Sequence, residues 1–255
     1  HGIPGFPRAK CNLYDLGAEV ALTVRWPGRI EPGRVVDDFV NIMDLAPTFM
    51  EAAGLAPAES MSGRSLVPVL TSPESGQVDA ERTFVVTGRE RHFPTARQGS
   101  LPYPQRAIRT KDYLYIRNFE PDRWPAGDPN GLDDLDAEPP SYEELATNTG
   151  ACYPDLDASP TKAWMIHHRK DEAVQQAFSL GFGKRPAEEL YHLPSDPHYM
   201  TNVADRPEHG EAKRALSEQL MTVLVDNDDP RVTETPCRYE QHPYAGPLLK
   251  ENPFT

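Results

Sequence analysis

Residues 1–28, HGIPGFPRAKCNLYDLGAEVALTVRWPG, decide how this chain is read. Glycine and proline punctuate the opening into a loop, which runs into the apolar segment EVALTVRW (19–26) and stops at Pro27-Gly28. That segment reads as a buried strand. The loop carries an imidazole (His1), a lysine nine residues on (Lys10) and an acid (Asp15). Loops fixed at one end by a strand are where catalytic groups tend to sit. The first residue is a histidine rather than a methionine, and the stretch reads as the middle of a motif whose upstream partners are expected elsewhere.

Working outward, VVDDFVNIMDLAPTFMEAAGL (35–55) places Asp44 as an N-cap, Pro47 in a first turn and Gly54 just past an end, which predicts a helix over Leu45–Ala53. Residues 56–76 read as loop, with a short apolar patch at SLVPVL (65–70), and a domain boundary falls near residue 78. Beyond it RTFVVTG (82–88), RAIRT (106–110) and YLYIRNF (113–119) are β-rich, the last two joined by Lys111-Asp112 as a hairpin. Residues 120–160 are an acidic, proline-rich excursion without periodicity. Residues 160–183 read as one or two helices ending at glycine, and EELYHL (188–193) as a last short strand. The best helix covers 208–226, where Ala212, Leu216, Leu220, Val223 and Leu224 form one apolar stripe. The tail from Arg231 to Thr255 reads as loop.

Composition bounds the function. The 255 residues include 27 prolines and 17 glycines, short of the disordered range, so an ordered, loop-rich fold is expected. A net charge of -13 argues against nonspecific nucleic-acid binding, which needs a basic surface. An anionic substrate stays open, because GRERH (88–92), RAIRTK (106–111) and FGKRP (182–186) are local basic clusters. No apolar stretch reaches the length of a bilayer span. Cys11, Cys152 and Cys237 are widely spaced with no CxxC, which indicates neither a structural zinc site nor a disulfide framework; one disulfide plus a free thiol stays open.

Taken in order, these motifs resemble the type I sulfatases of the alkaline-phosphatase-like superfamily. The opening 28 residues are similar to the family segment in which Asp-Asn-Gly or Asp-His-Gly precedes a Lys/Arg and a Tyr-Glu/Asp-x-Gly turn, and DLAPTFMEAAGL (44–55) is similar to its Asp-Leu-x-Pro-Thr element. GRERH, YPQRAIRTKDYLYIRNF (103–119), GKRPAEELYHLPSDPHYMTNVAD (183–205) and DPRVT (229–233) resemble most the N-sulfoglucosamine sulfohydrolase (heparan N-sulfatase) branch. The resemblance implies an α/β fold of which this chain is the C-terminal half. Residues 1–78 would end a large catalytic α/β domain, and 79–255 would form a smaller subdomain with an antiparallel sheet packed by the 208–226 helix. It implies hydrolysis of a sulfuric ester or sulfamate on a sulfated saccharide, with a divalent metal (Ca2+, or Mg2+ or Mn2+). The nucleophile would be a formylglycine made from a Cys/Ser-x-Pro-x-Arg sequence that these residues lack. The chain alone would then be inactive and would need the other half of the protein. A periplasmic, secreted or lysosomal setting goes with the family, and a homo-oligomer is compatible with it.

Residue by residue, the resemblance puts His1 on the metal, where a histidine is less suited to calcium than an oxygen ligand; the alternative is a frayed terminal residue. Lys10 matches the lysine or arginine that holds the sulfate, with Arg8 as its competitor. Charge developing on sulfuryl oxygens needs such a fixed cation. His92 matches a pocket histidine able to protonate a leaving nitrogen; the alternative is a surface loop histidine. Arg89, Arg91 and Arg106 suit a carboxylate or second sulfate, and equally suit structural salt bridges. Two other functions stay in view: a phosphodiesterase or phosphonate monoester hydrolase of the same superfamily, and a non-catalytic module binding sulfated glycans.

Overall fold

The computed structural model describes residues 3–241. In chain order they form α1 (Asp15–Ala18), α2 (Leu45–Ala52), α3 (Val67–Thr71), β1 (Phe84–Arg89), β2 (Gln105–Thr110), β3 (Tyr113–Asn118), α4 (Tyr142–Thr147), α5 (Pro160–His167), α6 (Glu172–Phe182), β4 (Glu188–His192), α7 (Gly210–Asp226) and α8 (Pro230–Thr233), with short 3-10 turns between. The architecture is α/β, as expected: a four-stranded sheet of order β1-β2-β3-β4 together with helices. β3 and β4 pair antiparallel, Tyr113 opposite His192 and Arg117 opposite Glu188. The hairpin turn at Lys111-Asp112 falls where the sequence put it.

The long C-terminal helix is also where its stripe predicts. Leu216, Leu220 and Leu224 on α7 are buried. The Tyr115 hydroxyl of β3 donates to Glu188 at 2.7 Å and lies 3.1 Å from Ser217 Oγ on the same helix. α2 starts at Leu45 and stops one residue short of the predicted end. Asn41 and Asp44 form a reciprocal capping box on the turn before it, and Gly54 supplies the left-handed residue after it (φ 75°).

The described residues divide into two compact units: 3–20, 87–107 and 112–241 in one, 21–86 and 108–111 in the other. The first has two apolar clusters. Leu13, Tyr14, Ala107, Leu114, Ile116, Tyr191 and Tyr199 gather on the sheet. The other cluster joins Leu132, Leu145, Tyr153 and Leu156 to Ile166 and Phe182. The second unit is tied chiefly by polar groups: Arg82 donates to Asp44 at 2.8 Å, both buried, and Asp38 accepts from Gln77 and the amides of Val78 and Asp79.

Several expectations are corrected. EVALTVRW forms no strand, and residues 19–25 of it are exposed rather than buried. Apolar content does not make a ladder; backbone amides need a neighbouring strand, and none pairs with this run among the described residues. SLVPVL is not loop: Pro68 opens α3, which buries Val69. The aperiodic 120–160 excursion contains α4 and supplies half of a core, because its apolar residues meet in space without sharing an element. Residues 160–183 are two helices, with 168–171 turning between them. The tail adds α8 and a turn at Arg238–Glu240, and its remainder from residue 242 lies outside the described residues. Among the described residues no helix is long and apolar enough to cross a membrane.

Candidate functional site

Close backbone approaches and buried polar groups place the opening loop. Gly5 lies at φ 72°, and its carbonyl accepts from Ser159 at 2.8 Å; a Cβ there would stand 2.6 Å from the Ser159 Cβ. Gly181 on α6 admits Pro7 in the same way, since an added Cβ would stand 2.7 Å from it. Arg8 lies 3.7 Å over the Tyr14 ring and donates to the Tyr199 carbonyl at 2.6 Å. Tyr14 donates to Glu189 at 2.6 Å, and that buried carboxylate also accepts from Tyr191 and Asn118. Arg8, the competitor of Lys10, therefore holds the loop.

Lys10 and Cys11 face a second segment, 155–157. Lys10 Nζ sits 2.8 Å from Asp157 Oδ2, both side chains about a quarter exposed (23% and 28%). Cys11, in a left-handed conformation (φ 64°), donates its thiol to the Asp155 carbonyl at 3.2 Å. The Asp155 side chain is fully buried and accepts from Arg89 at 2.6 Å, Arg97 at 2.5 Å and the Phe93 amide at 3.0 Å. His92 Nδ1 lies 3.7 Å from its other oxygen. Burial pushes the Asp155 pKa up, but Arg89, His92 and Arg97 outweigh it and hold the carboxyl well below the usual range. Asp155, then Cys11, raise His92 to about 9 against the lowering effect of burial, so its imidazole is an imidazolium at neutral pH. Three cationic groups share one carboxylate, beside a lysine at the surface. The result is a positive spot on an acidic chain.

Lys162 supports this segment from below. Its Nζ is buried and donates to the carbonyls of Thr149, Tyr153 and Leu156, at 3.3, 3.3 and 2.9 Å. Burial lowers its pKa to about 8. The ammonium thus fastens the turns on which Asp155 and Asp157 stand.

The structure brings Lys10 and His92 to the same short segment. It does not bring Arg106 there. Arg106 donates to Asp229 (2.6 and 3.0 Å), Glu90 (2.9 Å) and the carbonyls of Arg89 and Gln105, which occupies its guanidinium inside an ion-pair network. The salt-bridge alternative holds for this residue, and a substrate role is withdrawn. Arg89 is likewise internal. Arg91 donates to the carbonyls of Ser100 and Tyr239, at 2.8 and 2.5 Å. His1 lies outside the described residues. Sequence reading missed Arg97, Asp155 and Asp157; the acidic pair stands in the stretch DLDASP (155–160), whose spacing resembles any solvated acidic loop. A groove of about 530 Å³ opens elsewhere, lined by Glu188, Arg206, Lys213, Arg214 and Ser217, and shares no residue with this cluster.

A metal is the group the family implies. Among the described residues no set of three or more His, Cys, Asp or Glu side chains could hold one. The acids beside Lys10 are already engaged by cations, so these residues do not fit a metal centre. Neither Cys11, Cys152 nor Cys237 stands in a Cys-x-Pro-x-Arg sequence.

Comparison with known proteins bears on the family. Residues 8–149 match the family model described as N-sulphoglucosamine sulphohydrolase, C-terminal. An ulvan-active sulfatase of Formosa agariphila is 28% identical over 90% of this chain and 36% of its own length. The steryl-sulfatase of Mus musculus is 39% identical over 46% of this chain and 18% of its own. A solved structure described as a complex with its substrate D-glucosamine-2-N,6-O-disulfate is 18% identical, with a TM-score of 0.45, over 82% of this chain and 29% of the other. The chain thus spans about a third of the length of the Formosa relative. With more than half of its residues inside the family model, the chain belongs to the N-sulphoglucosamine sulphohydrolase C-terminal family of the sulfatases.

Proposed function

We propose that this chain is the substrate-contacting C-terminal portion of a sulfatase acting on sulfated sugars, with Lys10 on the sulfate and His92 as proton donor. The supporting observation is that a partly exposed ammonium and an imidazole reach one short segment, Lys10 at Asp157 and His92 at Asp155. Cleaving an S–O or S–N bond leaves negative charge on the departing atom. An imidazolium held protonated by Asp155 supplies the proton, which suits the leaving nitrogen of a sulfamate in particular. Lys10 exchanges Asp157 for a sulfuryl oxygen, and loss of such a contact costs about 2.7–4 kcal/mol of transition-state stabilisation. Arg91, beside His92 in the chain and donating to the Ser100 and Tyr239 carbonyls, is the remaining candidate for a second anionic group on the sugar.

Calcium and formylglycine chemistry belong, in this reading, to the part of the relatives that the match does not cover; the metal would act on the sulfate and the formylglycine would be the nucleophile. In this reading residues 1–78 would end that larger α/β domain, although residues 3–20 pack here with 87–107 and 112–241, and the apolar run 19–26 is long enough to join a sheet there. The chain alone is then expected to bind but not to turn over. Titration with N-sulfoglucosamine, followed by NMR, should perturb the Lys10 and His92 resonances, and Lys10→Ala should abolish the effect. An aryl sulfate offered with calcium should remain intact. Turnover by the chain alone, or binding indifferent to Lys10, would overturn the assignment.

A further inference from the structure

Two guanidiniums pack on the ring of Tyr14, and neither makes an ion pair among the described residues. Arg8 Cζ stands 3.7 Å and Arg185 Cζ 5.2 Å from the ring centre. Arg8 gives Nη1 to the Tyr199 carbonyl at 2.6 Å, and Arg185 gives Nη2 to Asn12 Oδ1 at 2.9 Å. Their other nitrogens are buried and have no hydrogen-bond partner among the described residues: Nε and Nη2 of Arg8, Nε and Nη1 of Arg185. Arg185 as a whole is only 7% exposed. Glu189, the carboxylate of this cluster, accepts from Tyr14, Tyr191 and Asn118 at 2.6, 2.7 and 2.7 Å, and neither arginine bonds to it. Buried cations are costly unless they are paired and hydrogen-bonded, and a tyrosine ring face offsets only part of that cost. On Arg8 the two idle nitrogens form the edge of the guanidinium that grips two oxygens of one anion.

We propose that Arg8 and Arg185 form a buried site for a small inorganic oxyanion of sulfate size, which clamps the opening loop to the segment before β4. The anion supplies the counter-charge for both guanidiniums and accepts from the Nε–Nη2 edge of Arg8 and from the idle nitrogens of Arg185. Asn12, which Arg185 already holds, and Lys10 stand on the same loop as Arg8, so the clamp also fixes the stretch that presents Lys10. The site is separate from the sulfate contact proposed for Lys10, whose ammonium faces Asp157. Its effect is one of linkage: an anion held by the folded chain and not by the unfolded one raises stability with its concentration.

The test follows thermal unfolding of the full chain while sodium sulfate replaces sodium gluconate at constant ionic strength. The midpoint should climb with sulfate, by about 5 °C at about a hundredfold excess over the dissociation constant. Arg8→Lys, which keeps the charge and removes the two-nitrogen edge, should abolish the climb, and Lys10→Ala should keep it. Arginine Nε–H NMR of the unsubstituted chain gives a second reading that needs no variant: the Arg8 and Arg185 signals should shift over the same range of sulfate. A midpoint and signals indifferent to sulfate overturn the proposal and leave water as the partner of these nitrogens. A climb that is lost in Lys10→Ala, with the Arg8 signal unmoved, also overturns it and puts the sulfate at Lys10. Should Arg8→Lys fail to fold, the Nε–H signals decide.

Discussion

The two compact units treat their apolar residues in opposite ways. In the unit of residues 3–20, 87–107 and 112–241, tyrosines, leucines and isoleucines fill two cores, and the polar groups that go inside are paired around Asp155 and Glu189. In the unit of residues 21–86 and 108–111, Leu66, Val69 and Ile108 are buried, while Leu22, Val24, Val35, Ile42, Phe49 and Leu55 stand exposed, Val35, Ile42 and Phe49 by about two thirds (70%, 68%, 67%). That unit is held instead by Asp44–Arg82, by Asp38 on its amides, and by Arg34 on the carbonyls of Val69, Leu70 and Glu74. A hydrophobic sequence is therefore no guide to burial here. What fixes each unit is where its charged groups find partners.

The most severe way to break the first unit is at its central carboxylate. Asp155→Asn leaves Arg89 and Arg97 buried without a counter-charge, and removal of one partner from a buried pair costs about 3–5 kcal/mol. Urea unfolding followed by circular dichroism measures the loss. A change under about 1 kcal/mol would mean that the guanidiniums are already solvated, and the contrast between the units would lose its basis.

Next in size is the buried ammonium of Lys162. Its pKa is depressed in the fold to about 8 against an unfolded value near 10.5. Between those values the unfolded chain holds the extra proton, so folding gains stability as pH rises from 8 to 10.5, on the order of 3 kcal/mol. Lys162→Met should flatten that rise in unfolding free energy. A variant that keeps it would assign the rise to another group.

The comparison also sorts what the sequence could tell. Elements with a period and a cap were legible: the α7 stripe, the α2 helix with Gly54 behind it, and the β2–β3 hairpin. Such signals are local, and a few neighbours along the chain carry them. The Asp155 cluster was not legible, because its members stand 58 and 66 residues apart for Arg97 and Arg89, and 144 for Cys11. Lys10 and His92 were singled out through a family resemblance; the partner of Lys10, Asp157, was not, and Asp15, the acid nearer in sequence, opens α1. The apolar run 19–26 misled for the opposite reason. Its pattern was that of a strand, and what a strand lacks here is a neighbour.

A smaller pH effect sharpens the account of His92. Its pKa is raised in the fold, from 6.5 to about 9. Its contribution is thus fully present below pH 6.5 and is lost as pH rises through 9, the reverse of Lys162. The side chain is about a quarter exposed (26%), so solvent screening limits the effect to roughly 1 kcal/mol. In His92→Gln the decline over that window should disappear from the stability profile, while the rise owed to Lys162 stays. NMR titration of the His92 ring gives the midpoint directly, and a value near 6.5 would show that Asp155 does not hold its proton.

The smallest effect on folding is expected where the sequence is most hydrophobic. Leu22→Ser and Phe49→Ser change side chains that are 49% and 67% exposed, and such surface substitutions stay within about 0.5 kcal/mol of the parent. Had these residues been core, Leu→Ala-sized losses of about 2–5 kcal/mol would follow. The two outcomes are far apart, which makes a weak effect the informative one. Sedimentation at rising concentration should show the opposite order of importance, with self-association of the parent chain reduced in the double variant, because exposed apolar side chains that contribute little to folding remove their area from water on contact.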